Sequence, residues 1–119
     1  MQTIVPILRY DDARRAIRFL CDAFGFVELF SIPESGAFVR HARLQLGGDQ
    51  IMLGSVRDDE GITGSPALFV DIDDVDAHCE RARAAGAEIV SEPHDTEFGS
   101  RQYAARDVEG HNWVFGRLV

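Results

Sequence analysis

The chain says nearly the same thing twice. At an offset of 62 positions (73 minus 11) Asp11 and Asp12 fall on Asp73 and Asp74, Ala23 on Ala85, Ala42 on Ala104, Gly48 on Gly110 and Gly54 on Gly116. An internal period of this size restricts the fold to two copies of one supersecondary unit. Each copy reads as a strand, an acidic helix cap, a helix closed by glycine, and three further strands. With 119 residues there is material for one domain with one core and too little for two independent ones. The sequence therefore predicts a single domain over residues 1–119: module one over about 1–56, a polar linker over about 57–65, and module two over about 66–119.

The local signals agree with the period. In the first copy, Thr3–Arg9 alternates apolar and polar side chains and reads as a strand. Asp11 and Asp12 suit a helix N-cap and its dipole. Ala13, Ile17, Leu20 and Phe24 follow at helical spacing, and Gly25 is placed to end the helix in a left-handed conformation. Strands follow over Phe26–Ser31, Phe38–Leu46 and Gln50–Gly54, with Gly47-Gly48 as a hairpin turn. The linker holds Asp58, Asp59, Glu60, Gly61 and Gly64. In the second copy the strands read as Pro66–Ile72, Glu88–Ser91, Ser100–Arg106 and His111–Arg117. The helix carries Val75, Cys79 and Ala82 and stops at Gly86, and 93–99 reads as a loop.

Charge and composition exclude several functions. A formal net charge of −8 argues against nucleic acid as a partner, because phosphate binding needs a basic surface. It favours a cationic ligand through long-range attraction. No segment approaches the roughly 18–20 apolar residues of a membrane helix. Met1–Pro6 lacks the basic, then hydrophobic, order of a signal peptide, so the sequence predicts a cytoplasmic protein without membrane partners. Cys21 and Cys79 lie on the two helices and read as small buried hydrophobes. There is no CxxC motif, P-loop, GxGxxG or Ser-His-Asp spacing. Among the four histidines, His78 and His94 read as solvated, on a helix and in a loop. His41 and His111 are the two that could converge as an acid–base pair.

Taken in order, these pieces resemble the vicinal oxygen chelate superfamily of glyoxalases, bleomycin-resistance proteins and extradiol dioxygenases. The resemblance is carried by Ile7-Leu8-Arg9-Tyr10-Asp11-Asp12, Phe24-Gly25-Phe26, Ala42–Gly47 and Ile51–Gly54 in the first copy. In the second it is carried by Val70–Val75, Ala84–Ile89 and Arg106-Asp107-Val108-Glu109-Gly110-His111-Asn112-Trp113. The last is similar to the family's Asp-Pro-x-Gly turn, with Val108 in place of proline. The resemblance implies an α+β fold: two βαβββ modules in pseudo-twofold repeat, forming an open, eight-stranded, barrel-like cup with the helices outside. It also implies a homodimer.

Enzymes of this superfamily draw metal ligands from the first and fourth strands of each module. By resemblance those positions are Val5, Met52, Ala67 and Val114, none with a nitrogen or oxygen side-chain donor. A catalytic divalent ion needs about three protein ligands, so the sequence predicts no metal and no other cofactor. Strand alternation then turns Ile7 inward as well and gives the concave face an apolar floor of Val5, Met52, Ala67, Phe69 and Val114. The rim would be polar, from His41, Arg43, Gln50, Tyr103 and Asn112, with Phe38 and Phe98 as aromatic walls. Trp113 falls on the core side by the same parity. The reading is a metal-free protein, similar to the bleomycin-resistance members, that sequesters a hydrophobic or aromatic small molecule, cationic if the chain's acidity selects it. The alternatives are a glyoxalase- or dioxygenase-like enzyme with an atypical metal site or none, and a metabolite sensor.

Overall fold

A computed structural model describes residues 2, 5–56, 67–96 and 99–117. The chain divides into two units, Met1–Ile62 and Thr63–Val119. Each holds one helix and one mixed four-stranded sheet, so the chain is an α+β protein built from a repeated module.

In the first unit the elements are β1 (Ile7–Tyr10), α1 (Ala13–Phe24), β2 (Val27–Ile32), β3 (His41–Leu46) and β4 (Asp49–Ser55). The sheet order is β1-β4-β3-β2, with β1 parallel to β4 and the other pairs antiparallel. The Asp12 carboxylate accepts from the Arg15 amide at 3.1 Å, capping α1. Gly25 ends the helix at φ 86°, a conformation only glycine adopts without strain. One stripe of α1 (Ala13, Ala16, Ile17, Leu20, Ala23 and Phe24) is buried. From the sheet, Leu8, Tyr10, Ala42, Leu44, Ile51 and Leu53 are buried as well. Each large apolar side chain removed from water in this way contributes about 1.5–3 kcal/mol. Arg14 fastens the helix to the turn after β2: its guanidinium donates to the carbonyls of Pro33 and Gly36 and to the Ser31 hydroxyl.

The second unit repeats the wiring. Its elements are β5 (Leu68–Asp71), α2 (Val75–Ala84), β6 (Glu88–Asp95), β7 (Arg101–Arg106) and β8 (Asn112–Gly116), in sheet order β5-β8-β7-β6. Asp74 caps α2 through the Ala77 amide. The predicted helices and N-caps are therefore present. β6 is longer than the sequence suggested, because it runs on through Pro93 to Asp95 across what reads as loop. Trp113 is buried, as its parity required. Cys79 is buried and Cys21 half-buried, both as free thiols, and burial raises the pKa of each.

A single offset of 62 does not hold throughout. It holds for β1, α1 and β4: Ile7 pairs with Met52 as Phe69 pairs with Val114. It fails for β2 and β3. Helix α2 stops earlier, so Gly25 corresponds to Gly86, 61 positions on (86 minus 25). The β7–β8 hairpin then restores the residue. Gln45 pairs with Gln50 in the first unit, whereas Arg106 pairs with Asn112 in the second, a loop one residue longer. Ala42 accordingly corresponds to Tyr103 (103 minus 42), not to Ala104: Ala42 pairs with Leu53 as Tyr103 pairs with Phe115.

Asp107 organises the longer hairpin. It is buried, and its carboxylate accepts from the amides of Glu109 and His111, both at 3.0 Å, and from the Trp113 indole N–H at 3.1 Å. Gly110 takes the left-handed position at φ 85°. Removing this carboxylate leaves a buried indole donor without its acceptor. We expect Asp107→Ala to cost about 3 kcal/mol and Asp107→Asn less, because the amide oxygen keeps part of the set. Urea unfolding midpoints of the two variants against wild type check this.

Candidate functional site

In each unit the helix covers one face of the sheet. Residues paired directly across strands point to the same face, so the pairing register defines what the opposite, open face carries. In the first unit one transverse row is Ile7, Met52, Arg43 and Phe30, read from the pairs Ile7–Met52, Met52–Arg43 and Arg43–Phe30. A second row includes Arg9 beside Gly54, and His41 beside Ile32. Gly54 leaves room there: a Cβ at this position would lie 2.6 Å from the Arg9 guanidinium, which would have to move, and 3.0 Å from the Arg40 carbonyl. Large apolar side chains are exposed on this face, with Ile7 59%, Phe30 39% and Ile32 42% accessible, beside the polar Arg9, His41 and Arg43.

Phe30, His41 and Arg43 form a cluster on this face. The Phe30 and His41 rings are 5.4 Å apart, and the Arg43 guanidinium carbon lies 5.8 Å from the centre of the Phe30 ring. That is within the range of a cation–π contact. Arg43 Nε is buried without a hydrogen-bond partner. Phe30 reaches this face because a β-bulge at Leu29 shifts the register between Glu28 and Phe30. Sequence alternation alone did not select it, because regular alternation puts Phe30 on the same face as Glu28.

The other predicted first-unit residues are placed as follows. Met52, His41 and Arg43 lie on the open face. Gln50 pairs with Gln45, and its backbone is bridged by Gln2 through the side-chain amide. Val5 is half-buried just before β1, and the Met52 amide donates to the neighbouring Pro6 carbonyl at 2.9 Å. Phe38 is exposed, in the connection between β2 and β3.

In the second unit the corresponding row is Phe69, Val114, Ala104 and Ser91. Phe69 is exposed and Val114 half-buried; Ala67 is exposed just before β5, and half-buried Asn112 pairs with Arg106. Phe98 lies outside the described residues. Tyr103 requires a correction. It is not on the open face but fully buried under α2, its hydroxyl sharing a 2.5 Å hydrogen bond with His78 Nδ1. The one-residue slip in offset moves it to the opposite face. His78 is corrected with it: rather than solvated, it is half-buried against Phe115, with ring centres 4.4 Å apart. His94 is exposed, on β6 and not in a loop, with its Nδ1 at 2.8 Å from the Glu92 carbonyl. His41 and His111 belong to different units.

The donor chemistry does not suit a divalent metal. Val5, Met52, Ala67 and Val114 offer at most one thioether, a ligand for soft ions. Among the described residues, no group of three or more His, Cys, Asp or Glu side chains is arranged to hold an ion.

The comparisons with known proteins agree with this architecture. The sequence profile of the Glyoxalase/Bleomycin resistance protein/Dioxygenase superfamily matches residues 3–115, and the chain belongs to that superfamily. It is similar to TioX from Micromonospora sp. ML1, at 37% identity and a TM-score of 0.82, over 99% of this chain and 97% of that one. It is 34% identical to an uncharacterized protein of Mycobacterium bovis, over 96% of this chain and 82% of the relative. A glyoxalase-related enzyme from Fulvimarina pelagi shares the fold at 22% identity and a TM-score of 0.78, over 99% of this chain and 88% of that one.

Burial pushes the Tyr103 phenol well above its ordinary range. A folded-state pKa above the unfolded value of about 10 makes a contribution to stability that is intact below pH 10 and declines as pH rises beyond it, because only the unfolded phenol ionises readily. We expect wild type to lose stability between about pH 10 and 12. Tyr103→Phe should be less stable at neutral pH, having lost the bond to His78, yet flatter over the alkaline window. Urea midpoints across pH for the two proteins check the sign.

Proposed function

We propose that this protein is a metal-free binding protein of the superfamily that holds a hydrophobic or aromatic small molecule by sequestration. The observation that carries the reading is the row Ile7–Met52–Arg43–Phe30. At Met52, where the enzymes of the family would place a metal ligand, an apolar side chain continues an exposed apolar surface. Exposed apolar surface of this kind, beside a few fixed polar groups, suits a ligand bound by burial and oriented by one or two contacts. The superfamily includes both resistance proteins and enzymes, and fold does not choose between them; the donor set favours binding without metal. Homodimerisation and a cytoplasmic location belong to the same proposal.

The test begins with metal analysis of the purified protein and thermal-shift titrations with nickel, zinc, iron(II), cobalt and manganese. We expect no stoichiometric metal and no saturable shift. A ligand that binds only the native state stabilises it by about 2.7 kcal/mol at a hundredfold excess over Kd. An aromatic compound that produces such a shift should be recovered chemically unchanged. Stoichiometric metal, or conversion of the compound, overturns the reading in favour of an enzyme.

A further inference from the structure

Arg43 differs from the other half-buried or tethered arginines described. Arg83, Arg101, Arg106 and Arg117 each meet a carboxylate, and Arg14 donates to carbonyls and a hydroxyl. The Arg43 guanidinium has neither an ion pair nor a hydrogen bond among the described residues, although the chain holds 20 acidic residues against 12 basic ones. Its Nε is shielded from water. A partly desolvated guanidinium is costly to leave unpaired. What it does have is a planar aromatic neighbour, Phe30, and an apolar one, Met52, beside it in the row. The second unit carries Ala104 and Ser91 at the equivalent places, so the repeat does not require the pair.

We propose that Arg43 is the anchor for an anionic group, a carboxylate on a planar aromatic ligand, whose ring lies over Met52 and Ile7. This rests on the binding reading above and deepens it. It also reverses the charge that net acidity favours. Long-range attraction by a net charge of −8 is screened over about 8 Å at physiological salt. Contact with a fixed, half-desolvated guanidinium is short-range and directional. Because folding already holds this side chain against Phe30, an incoming carboxylate does not have to order it.

Three naphthalene probes test the proposal: 2-naphthoate, its near-isostere 2-naphthamide, and protonated 2-naphthylmethylamine, titrated calorimetrically into the full chain at pH 7. We expect naphthoate to bind about tenfold tighter than naphthamide or better, as one charge-assisted contact provides, with the amine weakest. Arg43→Met should bring naphthoate down to the affinity of the amide and leave the amide within about twofold. Arg43→Lys should keep part of the preference, since it retains charge without the planar fork. Equal binding of naphthoate and naphthamide by wild type, or a preference that survives Arg43→Met, overturns the anchor and leaves the binding reading in place. No binding of any probe by wild type overturns both.

Discussion

Side chains on a paired strand alternate with a period of two, and in each unit one face of the sheet is taken by a helix. Everything else in the architecture depends on that division. Leu8, Ile51 and Leu53 must go under α1, so Ile7 and Met52 must come out on the opposite face. Nothing in the helix can compensate for a side chain sent the wrong way, since the buried stripes of α1 and α2 are already matched to the inward set. Register is thus fixed by burial, and the open face is assigned by what remains. Two devices adjust it locally. The bulge at Leu29 turns Phe30 outward, and the longer β7–β8 hairpin, held by the Asp107 carboxylate, decides which residues of β7 go under α2.

Duplication gave two copies of this arrangement, and their open faces have diverged. The row Ile7–Met52–Arg43–Phe30 has the counterpart Phe69–Val114–Ala104–Ser91. The positions on the first and fourth strands of each unit stay apolar in both. Those on the third and second strands differ: a cation and an aromatic ring in one unit, small side chains in the other. The helix-covered faces diverge in the opposite sense. The small Ala42 of the first unit becomes Tyr103 in the second, where His78 and Phe115 close around it. In the second unit bulk and polarity have moved inside, and in the first they stand on the open face.

The sequence made the repeat, the two helices with their aspartate caps, and the parity of β1, β4, β5 and β8 legible. These are the segments over which the 62-residue offset is unbroken, so a pattern seen in one copy checked the other. Trp113 could be assigned to the core for that reason. β7 was misread because the loss of one residue near the end of α2 and the gain of one in the β7–β8 hairpin cancel. The offset looks constant at Gly54 and Gly116 while it is off by one in between. A slip of one residue is invisible in composition but inverts every side chain on a strand, which is why Tyr103 was expected on the rim. Phe30 was missed for a related reason: regular alternation puts it on the face of Glu28, and only the extra residue of the bulge at Leu29 turns it to the face of Arg43.

The chemistry open to the first unit's face follows from which groups it holds. Proton transfer calls for a base near neutrality with a partner that orients it. His41 touches Phe30, not a carboxylate, and an arginine stays protonated and cannot take a proton at all. Polarising a substrate through a metal calls for several hard donors, and Met52 and Val5 are not such donors. In the proposed function the Arg43 guanidinium, the aromatic face and the apolar strip would act on a ligand by position and desolvation, and selectivity by shape and by the sign of one charge is the property that this reading asks of them.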